Sequence, residues 1–179
     1  MVGLTGPNAA GKGEVASFFE GHGFSVFSLS DIIREEAAAQ GYPPEREHLI
    51  RIGNELRRQG GPGVLASRIL PRLGGQAVVD SIRNPAEVEV LRQQPRFVLL
   101  GIDAPIALRF RRAMARARPG DSQTLEAFEA REAQENTHDP AAQQLTATFA
   151  LADLRIDNGG DLEALHRRLT PLLTESFSR

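Results

Sequence analysis

The sequence predicts a three-layer α/β protein, a parallel sheet with helices on both faces. Three observations predict it. Five short apolar runs recur along the chain, helix-spaced segments separate them, and a glycine-rich loop follows the first run at once. Near-continuous apolar strands alternating with helices are what a sheet buried on both faces requires.

"VGLT" (Val2 to Thr5) is the first strand and leads straight into the glycine loop. Val15, Phe18 and Phe19 then recur at helical spacing. "FSVFSL" (Phe24 to Leu29) alternates as a second strand. Ser30 is expected to cap the following helix, with Ile33 and Ala37 on its buried face. "GYPP" (Gly41 to Pro44) and "GGPG" (Gly60 to Gly63) punctuate the next stretch, and Leu49, Ile52 and Leu56 mark a helix between them. "AVVD" (Ala77 to Asp80) and "FVLLGID" (Phe97 to Asp103) supply two more strands. A basic helix starts near Pro105, and "LADLRID" (Leu151 to Asp157) is the fifth strand. A turn at Asn158 to Gly160 and an amphipathic closing helix end the chain. No internal repeat or linker interrupts the series, which predicts one domain over residues 1–179.

The 179 residues are 41% hydrophobic and 25% charged, ordinary for a domain with a substantial core. A formal net charge of -2 argues against a general nucleic-acid binder. Without cysteine there are no disulfides and no thiolate metal sites. No apolar run approaches the roughly 20 residues that span a membrane. The chain enters "MVGLTG" with no charged leader, so a cytoplasmic location is expected. Of 21 basic residues, Lys12 is the one lysine and the rest are arginines. Arginine is the chain's habit, which makes the exception informative.

Lys12 lies in "GPNAAGKGE", the stretch Gly6, Pro7, Asn8, Ala9, Ala10, Gly11, Lys12, Gly13 and Glu14. Gly6, Gly11 and Lys12 satisfy G-x-x-x-x-G-K, with a strand before and a helix after. Glycines let successive backbone N–H groups point at phosphate oxygens, at the positive end of the following helix. A lysine adds a compact charge that follows the β- and γ-phosphates, where a planar guanidinium is too wide. The G-K-G order resembles adenylate kinases and other nucleoside monophosphate kinases, whose loop reads G-K-G-T. Glu14 stands where that family has threonine, either near a metal's water shell or as an acidic group in a helix's first turn.

The resemblance extends along most of the chain. "SLSDIIREE", with Asp31 and Arg34, looks like the family's "GD-L-R" segment, whose arginine binds the acceptor's phosphate. "VVDSIRNP" resembles "D-G-F-P-R", which places Asp80 at a strand's end as a Mg²⁺ ligand through water and Arg83 on the acceptor. "NELRRQGGPGVLASRIL" resembles adenylate-kinase-related proteins and puts Asn54, Glu55 and Arg57 toward the acceptor pocket, within a helical region at about residues 30–74. Arg109, Arg112 and Arg116 share one helical face and resemble an arginine-bearing lid, here short, at about residues 105–124. Arg111 and Arg118 point elsewhere and read as solvated. The closing strand, Asn-Gly turn and helix are similar to those of dephospho-coenzyme A kinases.

The resemblance implies a P-loop NTPase fold with sheet order 2-3-1-4-5. It implies transfer of the γ-phosphoryl of ATP, with Mg²⁺, to a small phosphorylated acceptor, first of all a nucleoside or deoxynucleoside monophosphate. The catalytic residues implied are Lys12, Arg83, Arg112 and Arg116. Two alternatives stand beside it: hydroxyl phosphorylation of the dephospho-coenzyme A kinase type, and a nucleotide-binding regulatory protein with little turnover. His22, His48, His138 and His166 are scattered, without metal-ligand spacing.

Overall fold

The computed structural model describes residues 1–117 and 122–175. Five strands form one sheet: β1 (Val2–Thr5), β2 (Ser25–Ser28), β3 (Ala77–Asp80), β4 (Val98–Asp103) and β5 (Leu154–Asp157). Their order is β2-β3-β1-β4-β5 and every pairing is parallel. Parallel neighbours need long crossovers, and helices supply them. These are α1 (Lys12–Glu20), α2 (Leu29–Ala39), α3 (Arg46–Gly60), α4 (Val64–Ile69), α5 (Pro85–Arg92), α6 (Ile106–Arg116), α7 (Leu125–Glu135), α8 (Leu145–Ala150) and α9 (Leu162–Glu175).

Alternation along each strand divides the core into two layers. Val2, Leu4, Val78, Leu100 and Ile102 face α1 and α9, where Val15, Phe19, Leu165 and Leu169 meet them. Val79 and Leu99 face the opposite way, onto Ile32, Leu56, Leu65, Ile69, Val88 and Leu91 of α2 to α5. The central strand β1 is buried throughout, whereas most residues of the edge strand β5 are exposed. Register aligns Ser28 with Asp80 and Asp103 with Asp157, so the C-terminal ends of four strands open on one edge. In open α/β sheets that edge is where ligands bind.

Three local expectations change. The cap of α2 is Ser28, whose hydroxyl accepts the Ser30 N–H at 3.3 Å, so Ser30 is already inside the helix. Ile32, not Ile33, is the buried isoleucine of that helix. β5 starts at Leu154, because Leu151 still closes the turn after α8, its N–H bonded to Thr148. Among the described residues no helix is long and apolar enough to cross a membrane.

Candidate active site

The loop between β1 and α1 curls through left-handed backbone at Gly6 (φ 137), Ala9 (φ 58) and Gly11 (φ 102). Space as well as φ demands glycine at two of these positions. A Cβ on Gly6 would stand 2.0 Å from the Ile102 carbonyl oxygen, and one on Gly11 2.1 Å from Asn158 Nδ2. Lys12 Nζ donates to the carbonyls of Gly6 (2.7 Å) and Pro7 (2.9 Å). An ammonium has three donors, so the loop itself takes two.

Side chains from distant elements clamp this loop. Asn158, just after β5, donates from Nδ2 to the Ala10 carbonyl at 2.8 Å. Arg112 donates to the Asn158 carbonyl (2.9 Å) and reaches the Ala10 carbonyl at 3.5 Å. Arg109 is buried; it donates to the carbonyls of Ala104 and Asn8 and to Glu132 Oε1 at 2.5 Å. Arg116 meets Asn8 Oδ1 at 3.4 Å. Glu132 also accepts the Asn8 N–H at 3.2 Å, so a carboxylate already rests on the loop.

Burial pushes the Lys12 ammonium down to about 8; Asp80 opposes this and Arg83, Arg109 and Arg116 reinforce it. A polyphosphate held by the loop would favour the charged form, so its affinity would be full below that value and fall as pH rises through it. ATP binding measured by calorimetry should weaken on the order of tenfold between about pH 7 and pH 9.5 and take up a proton at the upper end. Stability of the free protein moves the opposite way: the depressed basic group costs least once neutral, so stability rises from about pH 8 toward the unfolded value of 10.5.

Across from the loop, β3 ends at Asp80. Ser81 Oγ donates to Asp80 Oδ2 at 3.4 Å and accepts from Ser28 Oγ at 3.1 Å. Asp80 Oδ1 is buried with no hydrogen-bond partner. Ser81 holds φ 65, a left-handed value that suits the glycine found here in "D-G-F-P-R". Arg83 follows, its guanidinium donating to Gln143 Oε1 at 2.8 Å and burial lowering its pKa against the pull of Glu135. A cavity of ≈ 20 Å³ lies between loop and arginine, lined by Gly6, Asn8, Arg83, Glu132, Glu135 and Leu145 among others. That is room for about one water, so a reactant can enter only if this edge opens.

The structure thus gathers Gly6 to Lys12, Asp80, Arg83, Arg109, Arg112 and Arg116 at one sheet edge. Gly13 and Glu14 are exposed in the first turn of α1. Asp31 and Arg34 stay outside the group, paired with each other at 2.5 Å with half their side-chain surface exposed. Asn54 is half-buried on α3 with Oδ1 unpartnered, and Glu55 is exposed. Arg57, expected toward the acceptor pocket, is buried and spends Nε and Nη2 on Glu87 Oε1 at 3.1 and 2.7 Å. Arg111 is exposed, while Arg118 and the rest of residues 118–121, within the expected lid, lie outside the described residues. Sequence reasoning missed Glu132, Glu135 and Arg46. The last grips Glu135 through two 2.7 Å bonds, joining α3 to α7. Their one local signal is the i,i+3 spacing of Glu132 and Glu135 on α7.

A family model described as an AAA domain matches residues 5–129. A UPF0200 protein of Pyrococcus horikoshii is 31% identical over 187 residues, covering 99% of this chain and 98% of its own. The chain is a UPF0200 protein with an AAA domain. Another UPF0200 protein, from Methanoregula boonei, is 32% identical over 97% of this chain and 95% of its own. The crystal structure of TT1252 from Thermus thermophilus superposes with a TM-score of 0.60 at 26% identity, covering 97% of this chain and 96% of that one. Shikimate kinase from Bacteroides thetaiotaomicron gives a TM-score of 0.60 over 96% of this chain and 97% of its own, and at 14% identity shows the fold alone. The UPF0200 chain therefore has a P-loop kinase-like fold.

Proposed function

We propose that this UPF0200 protein transfers the γ-phosphoryl group of ATP to a small phosphorylated acceptor, a nucleoside or deoxynucleoside monophosphate. The observation that carries the reading is that Arg83 shares a cavity with Gly6 and Asn8 of the loop that holds Lys12, while Arg109, Arg112 and Arg116 reach the same loop. These five cations outnumber the carboxylates Asp80, Glu132 and Glu135 set among them, and the excess positive charge suits anions in the loop and beside Arg83. Lys12 and the loop N–H groups would hold the β- and γ-phosphates, and Glu132 would leave the Asn8 N–H as they arrive. Arg112 and Arg116 would face the charge that develops on the transferred group, and Arg83 would hold the acceptor's phosphate in line. Arg34 and Asn54 would join only when α2 and α3 close on the acceptor.

Magnesium fits the residues present. Asp80 Oδ1 is a buried acceptor without a partner, at the strand end where a metal's water shell can donate to it. Among the described residues no group of three or more His, Cys, Asp or Glu could hold a metal alone, so the ion would come with the nucleotide. Held there, Mg²⁺ would neutralise negative charge on the β- and γ-phosphates.

A hydroxyl acceptor is the second reading, favoured by Glu132, whose carboxylate lines the cavity and could take the hydroxyl's proton. A coupled assay with ATP and a panel of ribo- and deoxynucleoside monophosphates plus dephospho-coenzyme A separates the two. Turnover with a hydroxyl acceptor alone would move the assignment to the second reading, and turnover with none would overturn both. For a monophosphate acceptor, Arg83→Ala should raise the acceptor KM by about 10–100-fold while ATP affinity holds. Unchanged kinetics would place the acceptor phosphate elsewhere.

A further inference from the structure

We infer that Glu87 and Arg57 are positioning residues for Arg83, a buried brace that holds the arginine's main chain and ties it to α3. The inference rests on the proposed role of Arg83 and goes beyond it, because neither partner touches the cavity.

Glu87 sits at the third position of α5, whose cap is Asn84 in a capping box. A capping-box carboxylate ordinarily reaches back to one N–H at the helix start and stays near solvent. This one is wholly buried and meets four donors. Oε2 accepts the N–H of Arg83 at 2.8 Å and that of Asn84 at 3.1 Å. Oε1 accepts from Nε and Nη2 of the Arg57 guanidinium. Arg57 and Glu87 are 3% and 0% exposed, so the pair is sealed from water.

Stability alone is a poor reason to keep such a pair, since apolar residues of similar volume often serve a buried site as well or better. What apolar residues cannot do is direct a main chain. With its N–H pinned, Arg83 leaves the strand edge in one orientation, and its guanidinium reaches Gln143 and the cavity wall. Arg57 supplies the counter-charge beside the buried carboxylate, 2.7 Å away. It also carries the bond to α3, the helix whose other end grips Glu135 of α7 through Arg46. One helix therefore registers the Arg83 loop against the wall opposite it.

Two double variants test this. Arg57→Met with Glu87→Leu removes charge and acceptor together, and keeps an apolar filling in place of a broken ion pair. Arg57→Met with Glu87→Gln removes the charge but leaves an amide oxygen for the two N–H groups. Hydrogen exchange should show the Arg83 and Asn84 amides opening at least about tenfold faster in the leucine variant and nearly as in wild type in the glutamine variant. With whichever monophosphate the wild type uses best, the leucine variant should raise the acceptor KM by about 10–100-fold, and the glutamine variant should recover most of it. The ATP KM should stay within about twofold in both. Unchanged amide exchange, or an acceptor KM unmoved where the amides have opened, would overturn the brace. Should the wild type turn over no acceptor, the proposed function fails, while the amide exchange still decides whether Glu87 holds Arg83. Should the leucine variant not fold, the glutamine variant decides: an acceptor KM shifted as far as that of Arg83→Ala with protected amides refutes the brace, and a recovered one upholds it.

Discussion

Lys12→Met is expected to lower turnover by about 10²–10³-fold, the usual loss when one preorganised cation facing developing charge is removed. Nucleotide affinity should fall with it. The ammonium is held at 2.7 and 2.9 Å from two carbonyls of its own loop, so its direction is set before any ligand arrives. Lys12→Arg should fail nearly as badly despite keeping the charge. A guanidinium is planar and wide, and the loop is walled by Asn158, Arg112 and the Ile102 carbonyl. Steady-state kinetics and calorimetric ATP titration of the three proteins check this. Full activity in Lys12→Arg would show that the loop does not select the shape of its cation.

Glu87→Ala is expected to be the most destabilising single substitution on the acceptor side, by about 3–5 kcal/mol. Removing the carboxylate leaves Arg57 charged in an interior where its side chain is 3% exposed, and orphans the N–H groups of Arg83 and Asn84. Folded domains keep only about 5–15 kcal/mol in all, so the loss is a large share of the total. The melting temperature should drop by about 10 °C for a chain of this size. An exposed pair serves as control: Arg72 and Glu35 form two short bonds, yet their side chains are 45% and 54% exposed. Arg72→Ala should therefore move the denaturant midpoint far less than Glu87→Ala does. Denaturant titration of both variants checks the contrast, and equal losses would show that water reaches the Arg57 pair.

How much of this was legible depends on how local the signal is. The phosphate loop announces itself within nine residues, because its glycines answer to backbone geometry that a short peptide already imposes. Strand positions followed from apolar runs, to within one residue at β1, β2, β3 and β4 and three at the start of β5. The sheet order came from resemblance alone, since periodicity says that a strand is buried and not which strand lies beside it. Arg57 shows the limit from the other direction. Its place in "NELRR" looks like a solvated helix face or a pocket wall, and only the tertiary fold turned it inward onto a carboxylate 30 residues away.

By itself, then, the sequence determined the alternation of strands and helices, the curl of the Gly6–Lys12 loop and the uniqueness of its ammonium. These depend on residues within a turn or two of each other. Tertiary structure decided which polar and charged groups meet. Asn8 finds Glu132 across 124 residues, Ala10 finds Asn158 across 148, and Arg46 finds Glu135 across 89. The physical reason is that a charged side chain has no preferred partner along an extended chain. Its partner is whichever opposite charge or carbonyl the folded backbone brings within about 3 Å while shutting out the water that would otherwise satisfy it.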